Sequence, residues 1–238
     1  MPKEVLGVLA SGRGSNFQAI IDQIELGVLR DVEPGVLISN NPDAPVLEIA
    51  EGHGVEREVI VPKAKGEEGR LEFEREAHKI FESHGVTLVV LAGFMRVLSP
   101  YLIRRYKWRM MNIHPALLPA FPGLHAHRQV LEYGAKVSGC TVHYVDEGVD
   151  TGPIILQHAV PVREDDTEET LAKRVLVFEH RLYSKAIQLH ADGRLRVEGR
   201  RVRVDYSGGW EEEWNRRQLA YIRRQRELWE RRGIPWVE

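Results

Sequence analysis

Cysteine is nearly absent: Cys140 is the only one. No internal disulfide can form, which fits a reducing compartment. Long apolar runs are absent too. None approaches the ~20 residues of a membrane span. The opening stretch MPKEVLGVLASGRGSN has too short an apolar core for a secretory signal. A cytoplasmic protein with no membrane partner is expected. Neither sign of charge dominates, since 33 basic residues against 35 acidic ones leave a formal charge of −2. That balance gives no electrostatic case for a nucleic-acid partner. Internal repeats and low-complexity linkers are missing as well. What remains is a chain of 238 residues, 43% apolar, long enough to bury one large core.

The first half alternates strand and helix. Val5 to Ala10, Val36 to Ser39, Arg57 to Val61 and Val86 to Ala92 read as strands. Phe17 to Leu29, Ala44 to Gly52 and Arg70 to His84 read as helices, with Lys63 to Gly69 a polar loop between elements. VTLVVLA, residues 86–92, is apolar at every position but Thr87, as in a parallel strand covered on both faces. The pattern predicts an α/β fold, an open and mostly parallel twisted sheet with flanking helices, in which ligands bind at the carboxyl ends of strands. The second half predicts an antiparallel pair, Gly139 to Val145 with Pro153 to Val160. A helix capped at Asp166-Thr167 then runs to about His190, and a small hairpin turns at Gly199.

Three stretches fall at strand ends. Ser11-Gly12-Arg13-Gly14-Ser15-Asn16 follows the first strand and opens a helix, the layout in which free backbone N–H groups meet an anion. Gly12 and Gly14 let the backbone approach a phosphate, and Ser15 and Asn16 can cap the helix. The turn has neither the Walker lysine nor the dinucleotide G-x-G-x-x-G pattern, so a single phosphate is the expectation, against a plain tight turn. Gly93-Phe94-Met95-Arg96 is the second stretch. The third is Met110 to Arg128, MMNIHPALLPAFPGLHAHR. Its prolines at 115, 119 and 122 stiffen a loop that carries Asn112 and His114, with His125 and His127 beyond it as expected supports of that loop. Asp146 to Gly152, DEGVDTG, supplies an acidic loop nearby. His114, His125, His127 and His143 have neither an H-E-x-x-H pattern nor a Cys partner, so no metal is expected.

The motifs SGRGSN at 11–16, LAGFMRVLSP at 91–100, NIHPALLPAFPGLHAHRQ at 112–129 and GVDTGPIILQ at 148–157, in this order, resemble the folate-dependent glycinamide ribonucleotide formyltransferases of purine synthesis. The resemblance covers about residues 3 to 195. It implies formyl transfer from 10-formyltetrahydrofolate, without metal, to the amine of the ribonucleotide. It implies that Asn112, His114 and Asp150 are catalytic, with Asp150 raising the pKa of His114. It further implies a phosphate and nucleotide site of Gly14, Ser15, Asn16 and Glu179. The folate site would comprise Arg70, Met95, Arg96, Val97, Leu98, Asn112, Val145, Asp146 and Glu147. Leu176 departs from the polar residue looked for one turn before Glu179. Methionyl-tRNA formyltransferase and formyltetrahydrofolate hydrolase share the Asn/His/Asp set, but neither needs SGRGSN.

By this reading residues 1–204 form the formyltransferase domain, with a nucleotide-binding half at 1–98 and a catalytic and folate half at 99–204. Residues 205–238 form a Trp-rich extension. From Asp205 to Glu238 seven acids match seven arginines, which disfavours an RNA-binding arm. Residues 210 to 231 are expected to be helical and to bury Trp210 and Trp214. Tyr221 and Leu228 would share that face. It would dock on the body of the protein or on a second subunit, as in a homodimer, because so many exposed tryptophans would promote association.

Overall fold

A computed structural model describes residues 3–231, with side chains as far as Glu227. Leu228, Trp229 and Trp236 of the expected tail lie outside the described side chains. One nine-stranded sheet runs through the molecule in the order β3-β2-β1-β4-β5-β6-β7-β9-β8. Strands β1 (Glu4–Leu9), β2 (Val32–Ser39), β3 (Glu56–Val59), β4 (Leu88–Leu91) and β5 (Met110–His114) are parallel. Strand β6 (Val137–Tyr144) then pairs antiparallel with both β5 and β7 (Ile154–Pro161). The hairpin β8 (Leu195–Glu198) and β9 (Arg201–Val204) closes the far edge. The α/β reading holds, and β5 is where parallel pairing gives way to antiparallel.

Helices sort by face. On one side α1 (Ser15–Glu25), α2 (Val46–Gly52) and α6 (Glu168–Ala191) pack on Leu6, Val8, Val90, Met111 and Val142. On the other, α3 (Gly66–Ser83) and α4 (Pro100–Arg105) cover Leu9, Val36, Val89 and Met110. Glu74 of α3, fully buried, accepts the Ser99 and Leu102 N–H groups at the start of α4. Helix α5 (Ala126–Tyr133) follows the Pro-rich loop, and α7 (Trp210–Arg231) ends the described chain. Thr167 caps α6 through a reciprocal bond pair with Thr170, as the Asp166-Thr167 signal suggests.

Several boundaries differ from the sequence reading. Helix α1 stops at Glu25 rather than Leu29, because Gly27 turns left-handed at φ 69°. The polar stretch 63–69 is not all loop: α3 begins at Gly66, with Glu67 and Glu68 favouring its N-terminal dipole. Helix α5 has no counterpart in the sequence reading, which ended the segment at the histidines. Its cue is Gly134, left-handed at its C-terminus. Helix α7 does follow expectation, with Trp210 and Trp214 stacked in parallel and buried.

Burial makes α6 sensitive to acid. The pKa of His180 is pushed down to about 4 by burial, and its Nε2 has no partner. The unfolded chain therefore binds a proton that the folded chain refuses between the ordinary imidazole value of about 6.5 and 4. Stability should rise with pH across that window and fall away on acidification. In His180→Gln the loss of unfolding free energy between pH 7 and 4.5, measured by denaturant titration, should shrink by about 2 kcal/mol.

Candidate active site

The turn at the carboxyl end of β1 opens α1, but its cap is not the one expected. Gly14, at φ 79°, occupies the N-cap, Ser15 and Asn16 fall inside the first turn, and no side chain caps it. The first N–H groups of α1 thus face outward with the positive end of the helix dipole. Gly14 also has a packing reason: a Cβ there would lie 2.5 Å from Val46. Gly12 has open space around it. Asn16 Nδ2 donates to Glu179 Oε2 at 2.9 Å, joining α1 to α6. Glu179 is buried, and burial raises its pKa. Leu176, one turn earlier, is half-buried. The Ser11 N–H donates to the Gly93 carbonyl at 3.2 Å, so this turn abuts the turn after β4.

That second turn walls a cavity of about 300 Å³. Met95, Arg96, Val97 and Leu98 line one side, and Asn112, His114, His143 and Asp150 line its floor, with Val145 and Asp146 at the rim. Two residues expected at the folate site are not part of the lining. Arg70 sits half-buried on α3, and Glu147 points away, ion-paired with Arg104 at 2.7 Å.

Strand register builds the floor. Asn112 stands opposite His143, and His114 opposite Thr141, so these four side chains share one face. Beyond α4 that face is roofed by two loops instead of helices. The Pro-rich loop is pinned from below: Thr141 Oγ1 accepts the Leu118 N–H and donates to the Ala116 carbonyl, while Gln157 donates to the Leu118 carbonyl. Gln129 of α5 donates to the carbonyls of Pro122 and Leu124. These residues hold the loop, not the side chains of His125 and His127 as expected. His125 is the left-handed N-cap of α5, and His127 is half-buried with an unpartnered Nδ1. Burial lowers the pKa of His127.

Asp150 joins the roof to the floor. One oxygen, Oδ2, accepts the Gly123 N–H at 2.8 Å and lies 3.2 Å from His114 Nδ1. The other, Oδ1, lies 3.6 Å from His143 Nε2. Its backbone is left-handed at φ 54°, as are those of Phe121 and His125. His125 and Asp150 line the cavity and the Phe121 carbonyl bonds His114, so these backbones mark a site where strain is held by its surroundings. Burial by itself would raise the Asp150 pKa, but contacts with His143, the Gly123 N–H and the His114 charge take it below the usual carboxylate range.

His114 is 3% exposed. Burial is the largest influence on its pKa and lowers it; Asp150 and the Phe121 carbonyl pull the other way without overcoming it. Asp150 thus acts with the expected sign, but the net shift is downward, opposite to the sequence reading. Nε2 donates to the Phe121 carbonyl at 2.8 Å, so the neutral ring turns the Nδ1 lone pair toward Asp150. A proton taken up at Nδ1 would face the carboxylate, although burial leaves the ring a weaker base than a free imidazole. His143 is the residue that sequence reasoning missed. Its Nδ1 donates to the Tyr144 carbonyl at 2.9 Å, leaving Nε2 to accept from Asn112 Nδ2 at 3.3 Å. A register shift between Val142 and His143 sets that ring, and the alternation through Thr141 and His143 was the available signal. Among the described residues no His, Cys, Asp and Glu group could hold a metal ion, and no helix is long and apolar enough to cross a membrane.

Known proteins resemble this chain over most of its length. The formyl transferase family model matches residues 5–187. The phosphoribosylglycinamide formyltransferase of Escherichia coli is 43% identical over 190 residues, covering 80% of this chain and 88% of that one. The bovine trifunctional purine biosynthetic protein adenosine-3 is 44% identical over 198 residues, 82% of this chain, which spans only 19% of that longer protein. The crystal structure of glycinamide ribonucleotide transformylase 1 from Symbiobacterium toebii superposes with a TM-score of 0.81 at 49% identity, covering 85% of this chain and 94% of that one. The chain, with its Asn, His and Asp gathered under a Pro-rich loop, belongs to the formyl transferase family.

Proposed function

We propose that this protein transfers the formyl group of 10-formyltetrahydrofolate to the amine of glycinamide ribonucleotide, giving formylglycinamide ribonucleotide and tetrahydrofolate. The observation that carries the reading is the convergence of Asn112, His114, His143 and Asp150 on one cavity beside an uncapped helix N-terminus. In this assignment the phosphate rests on the turn at Gly14, Ser15 and Asn16, with Glu179 toward the ribose. The folate lies along Met95 to Leu98, Val145 and Asp146. Nucleotide binding falls to residues 1–98, catalysis and folate binding to 99–204, and 205–238 form an extension.

The amine nitrogen attacks the formyl carbon, forming one C–N bond. The carbonyl oxygen becomes an oxyanion, to which the Asn112 amide donates. The proton lost by the amine moves to the gap between His114 Nδ1 and Asp150 Oδ2. From there it passes to the folate nitrogen, and the C–N bond to that nitrogen breaks. A ring that is neutral at rest suits this relay, because it must accept a proton before it donates one. Exposed apolar side chains at the cavity mouth, Met95, Val97, Leu124 and Val149, suit a flat heteroaromatic ligand.

Mixing the protein with both substrates should produce tetrahydrofolate, followed by absorbance, only when the ribonucleotide is present. Release of formate without it would identify a hydrolase instead. Asp150→Asn keeps the side-chain size and tolerates the left-handed backbone but removes the charge. It should lower kcat at least ~10²-fold with much smaller changes in either KM. His114→Ala should be comparably damaging, and the double variant far from additive. Near-normal turnover in Asp150→Asn would reduce that residue to a loop tether.

The phosphate turn needs a different probe from the one its glycines first suggest. Gly14→Val would disturb packing against Val46 as well as binding. Gly12→Val, with open space at the Cβ, should raise the ribonucleotide KM about tenfold or more by obstructing the approach to the backbone. It should leave folate binding and the melting temperature nearly unchanged. Equal loss of both ligands would remove the phosphate assignment.

A further inference from the structure

Helix α7 lies in the groove between α1 and α6, outside the matched family region that ends at residue 187. Three contacts already hold α1 against α6. Asn16 bonds Glu179 at the N-terminal end of α1. Gln23 Nε2 donates to the His180 carbonyl at 3.3 Å in the middle. Beyond the end of α1, Gln188 Oε1 accepts the Arg30 N–H at 2.8 Å and its Nε2 donates to the Arg30 carbonyl at 3.2 Å.

The polar contacts of α7 go to the second and third of these links. Gln218 Nε2 donates to Gln23 Oε1 at 2.6 Å, a buried bond. Arg217 Nη1 donates to the Val28 carbonyl at 2.7 Å and reaches Gln188 Oε1 at 3.4 Å. Ion pairs from Glu213 to Arg30 and from Glu211 to Lys185 and a bond from the Trp210 indole to Asp192 complete the seam. The order of partners sets the direction of the helix. Trp210 meets Asp192, whereas Tyr221 feels the charges of Asp22 and Arg181. Helix α7 therefore runs back toward the end where Asn16 meets Glu179.

We propose that α7 is a positioning clamp for the ribonucleotide site, with Gln218 and Arg217 as its positioning residues. This rests on the reading that the β1–α1 turn and Glu179 bind the ribonucleotide. Such a site takes its phosphate donors from one helix and its carboxylate from another. Its affinity then depends on the spacing of the two helices, and small misplacements weaken binding. Asn16 Oδ1, buried without a partner at this junction, is free to meet a ligand donor. Removing the Gln218 amide leaves Gln23 Oε1 buried and unpaired, which loosens the seam at its centre. The folate cavity lies on the other face of the sheet, and none of the described residues of α7 lines it.

The test uses the full chain with Gln218→Met, which keeps side-chain length without the amide, and a chain lacking residues 206–238. Steady-state kinetics are read together with calorimetric binding of glycinamide ribonucleotide in the absence of folate, at a temperature where each protein is fully folded. Gln218→Met should raise the ribonucleotide KM and Kd about fivefold or more, with kcat and the folate KM within about twofold of the parent. The truncated chain should show a larger shift of the same kind. A lower melting temperature with unchanged ribonucleotide affinity in Gln218→Met would overturn the clamp and leave α7 as surface cladding. So would a parallel loss of kcat and both KM values. If the truncated chain does not fold, Gln218→Met decides alone. A parent that binds the ribonucleotide without turnover would sink the proposed reaction while leaving the clamp to be judged by binding. A parent that binds no ribonucleotide would sink both.

Discussion

The carboxylate of Asp150 is the constraint on which the site depends. One oxygen holds the Gly123 N–H and faces His114, and the other faces His143. The side chain is 12% exposed, so its charge rests on the Gly123 N–H and on any proton that the two facing imidazole nitrogens take up. Remove them and a buried, unpaired carboxylate remains, which is a large penalty. Keep them, and the acidic loop, the Pro-rich loop and the end of β5 are locked together through one group. The left-handed backbone at residue 150 aims the carboxylate inward and persists because the surrounding bonds hold it there.

This lock is available because the sheet changes character at β5. In a fully parallel sheet the next strand would require a crossover helix, and that helix would cover the face of Asn112 and His114. The antiparallel partner β6 instead places His143 and Thr141 directly opposite them. One serves the site and the other anchors the loop above it. The loop face remains open enough to form a cavity. The parallel half meanwhile directs the β1 and β4 turns to the same sheet edge, where they meet through Ser11 and Gly93.

Much of this is legible in the sequence because it rests on local signals. Strand-helix alternation gives the parallel half, and the 166–167 capping signal gives the start of α6. The motif order, through the family resemblance, brings Asn112, His114 and Asp150 together. What could not be read depends on contacts distant in the chain. His143 looks like an ordinary strand residue until its register with Asn112 is known. Gly14 reads as a phosphate glycine, and only the nearness of Val46 adds its packing role. Helix α5 is short and follows three prolines, so its periodicity has little room to show. The pKa of His114 runs against the sequence expectation because the charge of Asp150 can be inferred from sequence, whereas the depth of burial cannot.

Helix α6 shows how the two faces of the sheet are made to act together. Glu179 and Tyr183 are one turn apart and fall on the same side of it. Glu179 meets Asn16 of α1. The Tyr183 hydroxyl, fully buried, lies within bonding distance of the carbonyls of Leu91 and Met111, at 3.0 and 2.9 Å. Those carbonyls belong to β4 and β5, the strands that lead into the cavity wall and floor. Gln188, further along, fixes Arg30 and receives Arg217 of α7. A single rigid helix therefore spaces the β1–α1 turn, the two strand ends and the C-terminal extension. Reaction between two bound substrates requires their reacting atoms within about 3–3.5 Å. A common strut beneath both sites meets that demand better than separate loops could.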